Sequence, residues 1–458
     1  MWSAVARSLD SYFLITDRQS TIGTEVRAGT ASFLTLSYLL LVNPQIMAQA
    51  GVPHDDAVFA TAVSAALSCF IIGFGGNLPF GCAPGLGLSA YLTFGLVQAE
   101  LCTLSEALTA CWWSGVLVLV VSLSGLAGLL MKTVPHAIKL AIVVGMGLLI
   151  AMIGMVSVGL IVANPKTLVE LGDVFNDRTL QLFLVGILMV ASLLYHDVKG
   201  SILIGIAFLT LVDWTINNSW PSAVAEVPKF HPNDYLSNLL VIFDPAKAST
   251  LLVAVGAFVL ICIFDISGVL YGLATLGGLQ NPETDEIPGS LWAFIASSVG
   301  TIVASSCGST PIIVCVECAS GVREGGRTGL TAVVMGLYFT SSIFLAPLFG
   351  AVPDLATSPV LVLVGVMMMP EAAKIEWGNM NDALPAFLTI ILMPLTYSIT
   401  NGMIFGLLTS IGFYFTTGKF WIDAQTIPTC KADTYSSPET ESFTHANDKV
   451  SIPEYGTV

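Results

Sequence analysis

The stretch SSCGSTPIIVCVECASGVREGGRTGLTAVV, from Ser305 to Val334, decides the fold of this 458-residue chain. Its acid Glu317 is the only charged residue between Glu286 and Arg323. Serines, glycines, a proline and cysteines interrupt the apolar run around that acid too often for a helix that faces lipid. Irregular backbone at membrane depth is tolerated only where it is buried in protein or lines a cavity. The stretch therefore predicts a broken transmembrane segment at a transporter site.

The composition of the whole chain is that of a membrane protein with many spans. Hydrophobic residues make up 55%, charged residues 10%, and the mean hydropathy is +0.83, well beyond the apolar content of a soluble domain. Much of the net charge of -15 lies after Lys419 and in loops, so we interpret it as solvation and predict no nucleic-acid partner. We expect no signal peptide, because MWSAVARSLD mixes its apolar residues with Arg7 and Asp10 and no unbroken apolar core or small-residue cleavage site follows at once. The first span then doubles as the targeting element.

The cysteines predict packing rather than metal chemistry. Most of the 9 cysteines lie in apolar runs, where small, weakly polar side chains pack well. Cys315 and Cys318 have CxxC spacing, but no second pair or nearby histidine completes a metal site. We predict no metal, no disulfide and no cofactor.

The charge-free gaps predict fourteen membrane segments. A span needs about 20 apolar residues, and Ala57–Ala99 and Ala383–Gly418 are each long enough for two. Turn signals at Gly75–Gly81 and Thr396–Gly402 divide these gaps. The approximate segment centres are Thr35, Leu67, Ser89, Leu119, Leu149, Ile187, Phe208, Val259, Ser297, Val314, Gly336, Leu363, Ile391 and Leu408.

The basic residues predict that both termini are cytoplasmic. Short cytoplasmic loops collect Lys and Arg. This orientation places all but four of the 16 basic residues inside, and Lys139 is one of the residues inside. We predict a plasma-membrane protein with an external loop at 217–249, a glycosylation sequon at Asn217 and a disordered cytoplasmic tail at 422–458.

A faint internal repeat relates the two halves of the chain. Segment three (APGLGLSAYLTF, from Ala83) and segment ten (GSTPIIVCVECAS, from Gly308) are both short and open on a Gly/Pro break, seven segments apart. KGSILIG at 199–205 likewise resembles TNGMIFG at 400–406. An odd number of spans per repeat inverts the second copy, so we expect the two interrupted segments to face each other at mid-membrane with the substrate between them.

Two acids lie deep in predicted spans, Asp265 in ICIFDISGVLYG and Glu317 in segment ten. An ionised carboxylate there is costly unless it is paired, hydrated or neutralised, and no Lys or Arg is predicted at the same depth. We predict that both are protonatable site residues. The alternative is a neutral acid that fixes helix packing through hydroxyl or backbone groups.

The starts of segments three and ten supply candidate ligand groups. Helix N-termini carry free N–H donors and partial positive charge, which suit the carbonyls and ring nitrogens of a polar planar solute. Close helix packing by the glycines is the alternative. The aromatic candidates for stacking on such a ring are Tyr91 and Phe264, with ordinary packing as the alternative. The residues at the two helix starts are Gly85, Gly87, Ser89, Ser309 and Thr310.

At these residues the chain resembles the AzgA-like purine permeases, a branch of the nucleobase and ascorbate transporter superfamily. The resemblance covers nearly the whole membrane region. The motifs that carry it, in order, are GTASFLTLSYLLLVNP (Gly29–Pro44), APGLGLSAY, VECASGVREGGRTGLTAVV, LVLVGVMMM and DALPAFLTIILMPLTYSITNG.

The resemblance implies an all-α polytopic membrane protein with fourteen segments in a seven-plus-seven inverted repeat, interrupted at segments three and ten. It implies an elevator in which a core domain moves against a gate domain, homodimers in the lipid bilayer, and proton-coupled symport of adenine, guanine and hypoxanthine rather than enzyme activity. The predicted divisions are an N-terminus at 1–25, core at 26–133 and 250–350, gate at 134–216 and 351–421, the external loop and the tail.

The resemblance also assigns roles to single residues. Glu317 matches the substrate-binding glutamate of segment ten, and Asp265 matches the second aspartate of the DxxDTxGT motif, which is tied to translocation. Two positions depart from the family pattern: Ser89 replaces the substrate-contacting asparagine of GLNAY, and Cys262 replaces the first aspartate of DxxDTxGT. The TxGT part is also altered, at 266–269.

These departures leave alternatives open. One is a carrier of the same fold for another small polar solute, such as an organic or inorganic anion, and another is a substrate sensor without net flux. An intramembrane protease is disfavoured, because neither HExxH nor a pair of aspartates with GxGD occurs in the sequence.

Overall fold

The computed structural model describes residues 2–125, 135–164, 167–196, 198, 200–221, 226, 235–236, 239–245, 247–281 and 286–417. The predicted tail at 422–458 lies outside these residues, as does much of the predicted external loop at 217–249. The chain divides into a unit Met1–Ile411 and a short unit Gly412–Val458, of which 412–417 are described.

Helices make up most of the described residues. In chain order they are α1 Trp2–Phe13, α2 Ile22–Leu36, α3 Leu39–Gln49, α4 His54–Gly76, α5 Leu86–Ala90 with a π-helical continuation Tyr91–Val97, α6 Leu104–Leu123, α7 His136–Ser157, α8 Arg178–Tyr195, α9 Ser201–Asn217, α10 Ala248–Gly277, α11 Ser290–Cys307, α12 Ala319–Arg323, α13 Gly329–Ser342, α14 Ala346–Gly350, α15 Asp354–Met368, α16 Met380–Thr396 and α17 Ile399–Thr416. Short 3₁₀ turns lie at Leu239–Phe243, Val316–Cys318, Ile343–Leu345 and Met369–Lys374.

Ten of the described helical stretches are long and apolar enough to cross a membrane. Three shorter apolar helices accompany them, at Leu86–Val97, Ser201–Asn217 and Met380–Thr396. The chain is therefore a mostly helical, multi-pass membrane protein. The long stretches are Ile22–Gln49, His54–Gly76, Leu104–Leu123, Ala137–Ser157, Arg178–Tyr195, Ala248–Gly277, Ser290–Cys307, Gly329–Gly350, Asp354–Lys374 and Ile399–Thr416.

The expectation of an all-α chain needs a correction, because two short antiparallel sheets occur. Strand β1 (Cys82–Pro84) pairs with β4 (Ile312–Val314), and β2 (Ile161–Asn164) pairs with β3 (Leu168–Leu171). At β1 and β4 the helices are interrupted in apolar surroundings, where an unpaired backbone N–H or C=O group costs several kcal/mol. Pairing the two breaks with each other satisfies part of these polar groups. Side chains satisfy others: Thr301 Oγ1 accepts from the Ile312 N–H (2.9 Å), and Ser297 Oγ donates to the Ile312 carbonyl.

The helices pack in two groups. In the first, α4 packs against α11 and α13, α6 packs against α10 and α11, and α13 packs against α2. In the second, α7 packs against α15 and α16, and α15 also contacts α8 and α9. Glycines allow the closest approaches: a Cβ at Gly365 would lie 2.5 Å from the carbonyl oxygen of Gly147. The groups meet where α5 contacts α7, α9 contacts α2 and α15 contacts α3.

A fully buried acid ties α2 to the start of α13. The carboxylate of Glu25 accepts hydrogen bonds from the N–H groups of Arg327 (3.0 Å) and Thr328 (3.2 Å) and from the Thr331 hydroxyl (2.6 Å). Helix N-termini have N–H donors without intrahelical partners, and a carboxylate satisfies them strongly. The RTGLT part of the opening stretch, residues 327–331, thus supplies the donors that bind the buried carboxylate of Glu25.

Candidate functional site

The two interrupted segments cross at the β1–β4 pair. Cys82 lies opposite Val314 and Pro84 opposite Ile312. Two further backbone bonds extend the pair, from Gly85 N–H to the Pro311 carbonyl and from the Cys315 N–H to the Gly81 carbonyl, both 3.1 Å. A helical turn leaves each strand at once, α5 after β1 and Val316–Cys318 after β4. The prediction that segments three and ten meet is confirmed.

Glu317 lies in the turn that follows β4 and is half-buried. Its Oε1 accepts a hydrogen bond of 2.7 Å from the hydroxyl of Tyr38. The Glu317 carbonyl oxygen accepts bonds from Thr35 Oγ1 (3.2 Å) and Ser320 Oγ (2.9 Å), and these two hydroxyls lie 2.9 Å apart. The backbone of Glu317 is thus fixed from both sides, and one carboxylate oxygen has a defined partner.

Tyr38, the partner of the Glu317 carboxylate, is a candidate site residue that the sequence reasoning missed. It sits between α2 and α3, where the first long apolar stretch changes direction, and it is 1% exposed. The available signal was a lone phenol within the motif GTASFLTLSYLLLVNP. Nothing local in that motif indicates that its partner is 279 positions away.

Asp265 lies on α10, the helix that packs along β4, the turn of Glu317 and α12. Its side chain is half-buried, and within the described residues no hydrogen-bond donor contacts its carboxylate. The structure therefore brings the helix of one predicted acid against the segment of the other. A packing role through hydroxyl or backbone partners has no contact to support it there.

Lys139 lies nearer to a predicted acid than its sequence position indicates. It is one of the basic residues predicted to be cytoplasmic, and no Lys or Arg is predicted at the depth of the two acids. The structure has it in the first turn of α7, with Nζ 5.5 Å from the ring centroid of Phe264, the residue before Asp265. A long lysine stem carries its charge several ångströms from its own backbone position, and a loop assignment does not take this into account.

Five buried polar residues surround the crossing; we call them the Asn43 cluster. The members, all 0% exposed, are Asn43, Thr61, Ser89, Ser309 and Thr310. Asn43 Nδ2 donates to Thr61 Oγ1 (2.8 Å) and Ser309 Oγ (3.1 Å). Ser89 Oγ donates to Asn43 Oδ1 (2.5 Å) and lies 2.7 Å from Thr310 Oγ1. The cluster therefore links α3, α4 and both breaks.

The expectation that N–H groups at the crossing are free for a ligand is wrong for three residues. The N–H of Gly85 bonds to the Pro311 carbonyl, that of Ser89 to Gly85, and that of Ser309 to Ala304. The strand pairing and the tight turns consume these donors. Contact between the substrate and the side chains of Ser89 and Ser309 stays a prediction.

The remaining predicted residues face neighbouring helices. A Cβ on Gly87 would lie 2.9 Å from Met146 Sδ on α7, so this glycine allows close packing. Cys262 is 2% exposed and lies one helical turn before Asp265. The ring of Tyr91 packs edge-on against Phe258 at 5.1 Å. Substrate contact by Gly87, Cys262 or Phe264 stays a prediction.

A polar cleft also opens where α3, α7 and α15 meet. Thr357 Oγ1 donates to Gln45 Oε1 at 2.6 Å across it, and Ser157 and Ser358 hydroxyls lie 2.7 Å apart. None of the predicted site residues lines it. Its polar lining residues are Gln45, Gln49, Ser157, Asp354, Thr357 and Ser358.

The sequence is similar to a family of permeases. A model of the permease family, Xan_ur_permease, matches residues 23–404. The guanine/hypoxanthine permease PbuO of Bacillus subtilis is 35% identical over 399 residues, covering 86% of this chain and 92% of that protein. The adenine permease AdeP of Escherichia coli is 32% identical over 415 residues, covering 90% and 91%.

A solved structure shares the fold. The transmembrane domain of a cyanobacterium bicarbonate transporter, BicA, superposes with a TM-score of 0.61 at 16% sequence identity. The match covers 84% of this chain and 97% of that domain.

Proposed function

This chain belongs to the permease family, and we propose that it is a secondary transporter that carries purine nucleobases across the membrane by proton symport. The two relatives described above, which align with 86% and 90% of this chain, are a guanine/hypoxanthine permease and an adenine permease, which supports a purine as the solute. The observation that carries the proposal is the half-buried carboxylate of Glu317 at the crossing of two interrupted segments.

Glu317 is the residue we propose to bind the base. A carboxylate only accepts hydrogen bonds, and its two oxygens offer about four lone-pair sites. Purines present ring N–H and exocyclic amino donors, so they are suitable partners for the part of the carboxylate that Tyr38 leaves open. Phe264 is the proposed stacking ring, and Asp265 with Glu317 the proposed holders of the coupled proton.

The other predicted residues form the wall behind the base. We propose that Ser89, Ser309 and Thr310 act through the Asn43 cluster by holding the two breaks in place, with Gly87 and Cys262 packed beside them. Their complete or nearly complete burial supports this supporting role.

The proposed architecture is fourteen segments in two inverted sets of seven. The ten long and three shorter apolar helices of the described residues, together with the strand and turns at 312–323, support that number. The two helix groups support a core domain at 26–133 and 250–350 that moves against a gate domain at 134–216 and 351–421. Homodimers in the plasma membrane, with both termini cytoplasmic, complete the proposal.

Uptake of radiolabelled bases in cells without purine permeases of their own tests the function. We expect accumulation of adenine, guanine or hypoxanthine, and loss of at least tenfold in uptake for Glu317→Gln at equal surface expression, since the change removes a charged acceptor at nearly constant shape. Accumulation should increase at acidic external pH and collapse with a protonophore.

The same assay decides between the alternatives. Uptake of labelled bicarbonate or organic anions without purine uptake would establish the anion carrier, which Cys262 favours because it makes the site less negative than the family pattern. Purine binding without accumulation would indicate a sensor. Wild-type uptake by Glu317→Gln would remove Glu317 from the site.

A further inference from the structure

The phenol of Tyr38 is held more rigidly than the carboxylate it contacts. The side chain is 1% exposed. Its backbone carbonyl accepts from the N–H groups of Leu41 (3.0 Å) and Val42 (2.9 Å), which fixes the residue at the start of α3. A Tyr side chain has only two rotatable bonds to its ring, so burial of the ring also fixes where the hydroxyl lies. Of the two partners, Tyr38 is almost fully buried, whereas Glu317 is half-buried and keeps part of its surface accessible.

One hydrogen bond of this kind sets the orientation of the whole carboxylate. The hydroxyl donates to Oε1 at 2.7 Å, within the range for an O–H group bonded to a charged oxygen. Since the Glu317 carbonyl is also held, by Thr35 and Ser320, the carboxylate is anchored at its backbone and at one oxygen. Among the described residues, no group of another residue donates to Oε2, so this oxygen has acceptor capacity left for a ligand.

We infer that Tyr38 is a positioning residue for substrate recognition: it occupies Oε1 of Glu317 and so presents Oε2 as the acceptor for an N–H donor of the purine. The inference rests on the proposed function and adds a residue from the first membrane segment to the site. It also specifies the ligand edge, because one directed acceptor selects a base edge that offers a donor rather than only ring nitrogens.

A purely structural role for the bond gives different results. If the bond only provides a hydrogen-bond partner for the buried Tyr38 hydroxyl, its loss lowers the amount or stability of folded carrier. The substrate affinity of the folded carrier then stays unchanged. If it positions Glu317, its loss raises KM while the maximal uptake rate per folded molecule changes little, because uniform binding is what has been weakened.

Tyr38→Phe tests the inference on full-length protein, by uptake in cells and by binding of labelled guanine, hypoxanthine and adenine to purified carrier in nanodiscs. We expect KM and Kd to rise about tenfold, as for the loss of one hydrogen bond to a charged group, with maximal rate within about twofold. The matched control is Tyr338→Phe, which removes a phenol on α13 that lies 3.1 Å from Thr30 Oγ1 on α2. It should leave KM unchanged.

A double-mutant cycle with Glu317→Asp ties the effect to Glu317. The aspartate keeps the charge, but its carboxylate is one methylene further from the phenol. We therefore expect Tyr38→Phe to add less than about twofold in that background, since coupled residues are not additive. Additive effects, an unchanged KM for Tyr38→Phe, or an equal rise for Tyr338→Phe would overturn the inference.

Failure of the inference is distinguishable from failure of the proposed function. Wild-type protein that binds none of the three purines, or Glu317→Gln protein that binds them normally, overturns both. Purine binding that depends on Glu317 but is indifferent to Tyr38 overturns the positioning role alone.

Discussion

Two buried acids on contacting segments differ in what surrounds their oxygens. Three donors between 2.6 and 3.2 Å meet the carboxylate of Glu25, which has no exposed surface. Glu317 has one side-chain donor and is half-buried. A carboxylate with its acceptor sites filled by the protein holds helices together, whereas one with open sites is available to a ligand. Residue type alone does not distinguish an acid that holds helices together from one that is available to a ligand. The number of protein donors that contact its carboxylate does.

Glu25→Gln should therefore damage folding and spare recognition. The amide keeps the shape but replaces one acceptor oxygen by an NH2 group, which then faces either the N–H of Arg327 or the donors of Thr328 and Thr331, so we expect a loss of about 2–4 kcal/mol in unfolding free energy. Thermal unfolding of purified carrier measures the loss, and KM of the surviving protein should stay within twofold of wild type.

Glu324→Gln is the control for this change. Glu324 pairs with Arg27 at 3.1 Å, and the arginine side chain is 63% exposed. An exposed pair contributes less than about 1 kcal/mol. If both substitutions lowered the unfolding free energy equally, the hydrogen bonds of Glu25 would contribute no more to stability than the Arg27–Glu324 ion pair does.

At the scale of elements, the sequence predicts interruptions better than partnerships. The Gly/Pro breaks at Gly85 and Gly308 locate segments three and ten, because such residues stop a membrane helix wherever they occur. The strands at the crossing and the Asn43 cluster escape prediction, since they join residues more than 200 positions apart. Ser89 Oγ and Thr310 Oγ1, for example, are 221 positions apart. The local sequence pattern indicates where a helix ends. It does not indicate which distant residues bond to the polar backbone groups at that end.

The contact between α7 and α10 shows the same limit. Lys139 lies in the first turn of α7, and the hydropathy pattern places it outside the membrane, yet its ammonium lies over Phe264. The positive-inside rule locates backbone positions and does not consider the reach of the side chain.

We expect this contact to stabilise the packing of α7 on α10 by about 0.5–2 kcal/mol. Lys139→Met keeps the apolar stem and removes the charge, and Phe264→Leu removes the ring. Each should lower the unfolding free energy, and the double variant should lose less than the sum of the two, since the shared contact is lost only once. Strictly additive losses would contradict a direct interaction.

At the scale of the whole molecule, the two helix groups each have their own close helix pairs. Among the described residues the group around α4 and the group around α7 meet at α5, α9 and α15, at the Lys139–Phe264 contact, and in a hydrophobic core that contains side chains of both. The proposed movement of a core against a gate domain therefore requires this shared surface to change its contacts. Experiments on such movement also require the orientation of the protein in the membrane.

Cys102 offers a test of that orientation. It precedes α6 in the turn after the third predicted segment, and with a cytoplasmic N-terminus an odd number of segments places this turn outside. Burial, with the nearby acid Glu106 adding to it, raises the pKa of the Cys102 thiol to about 11. The thiolate is the reactive form, so labelling of intact cells by an impermeant methanethiosulfonate reagent should rise about tenfold per pH unit from pH 7 to 9.5.

The Cys102→Ser variant serves as the control and should remove this signal. An ordinary thiol would level off above about pH 9, so an early plateau would contradict the raised pKa. Labelling that requires permeabilised cells would place the turn in the cytoplasm and reverse the predicted orientation.

The crossing of the two breaks also constrains how the protein is made. The N–H of Gly81 bonds to Cys318 Sγ, 237 positions later, and β1 has no other strand to pair with among the described residues. A ribosome that adds roughly 5–20 residues per second leaves the first break without its partner for about 10–50 seconds. During that interval the N–H groups of Gly81 and Gly85 lack their partners in an apolar medium. Correct assembly is therefore a late event in biosynthesis, and a chain that ends before β4 would reach the bilayer with its first half unfinished.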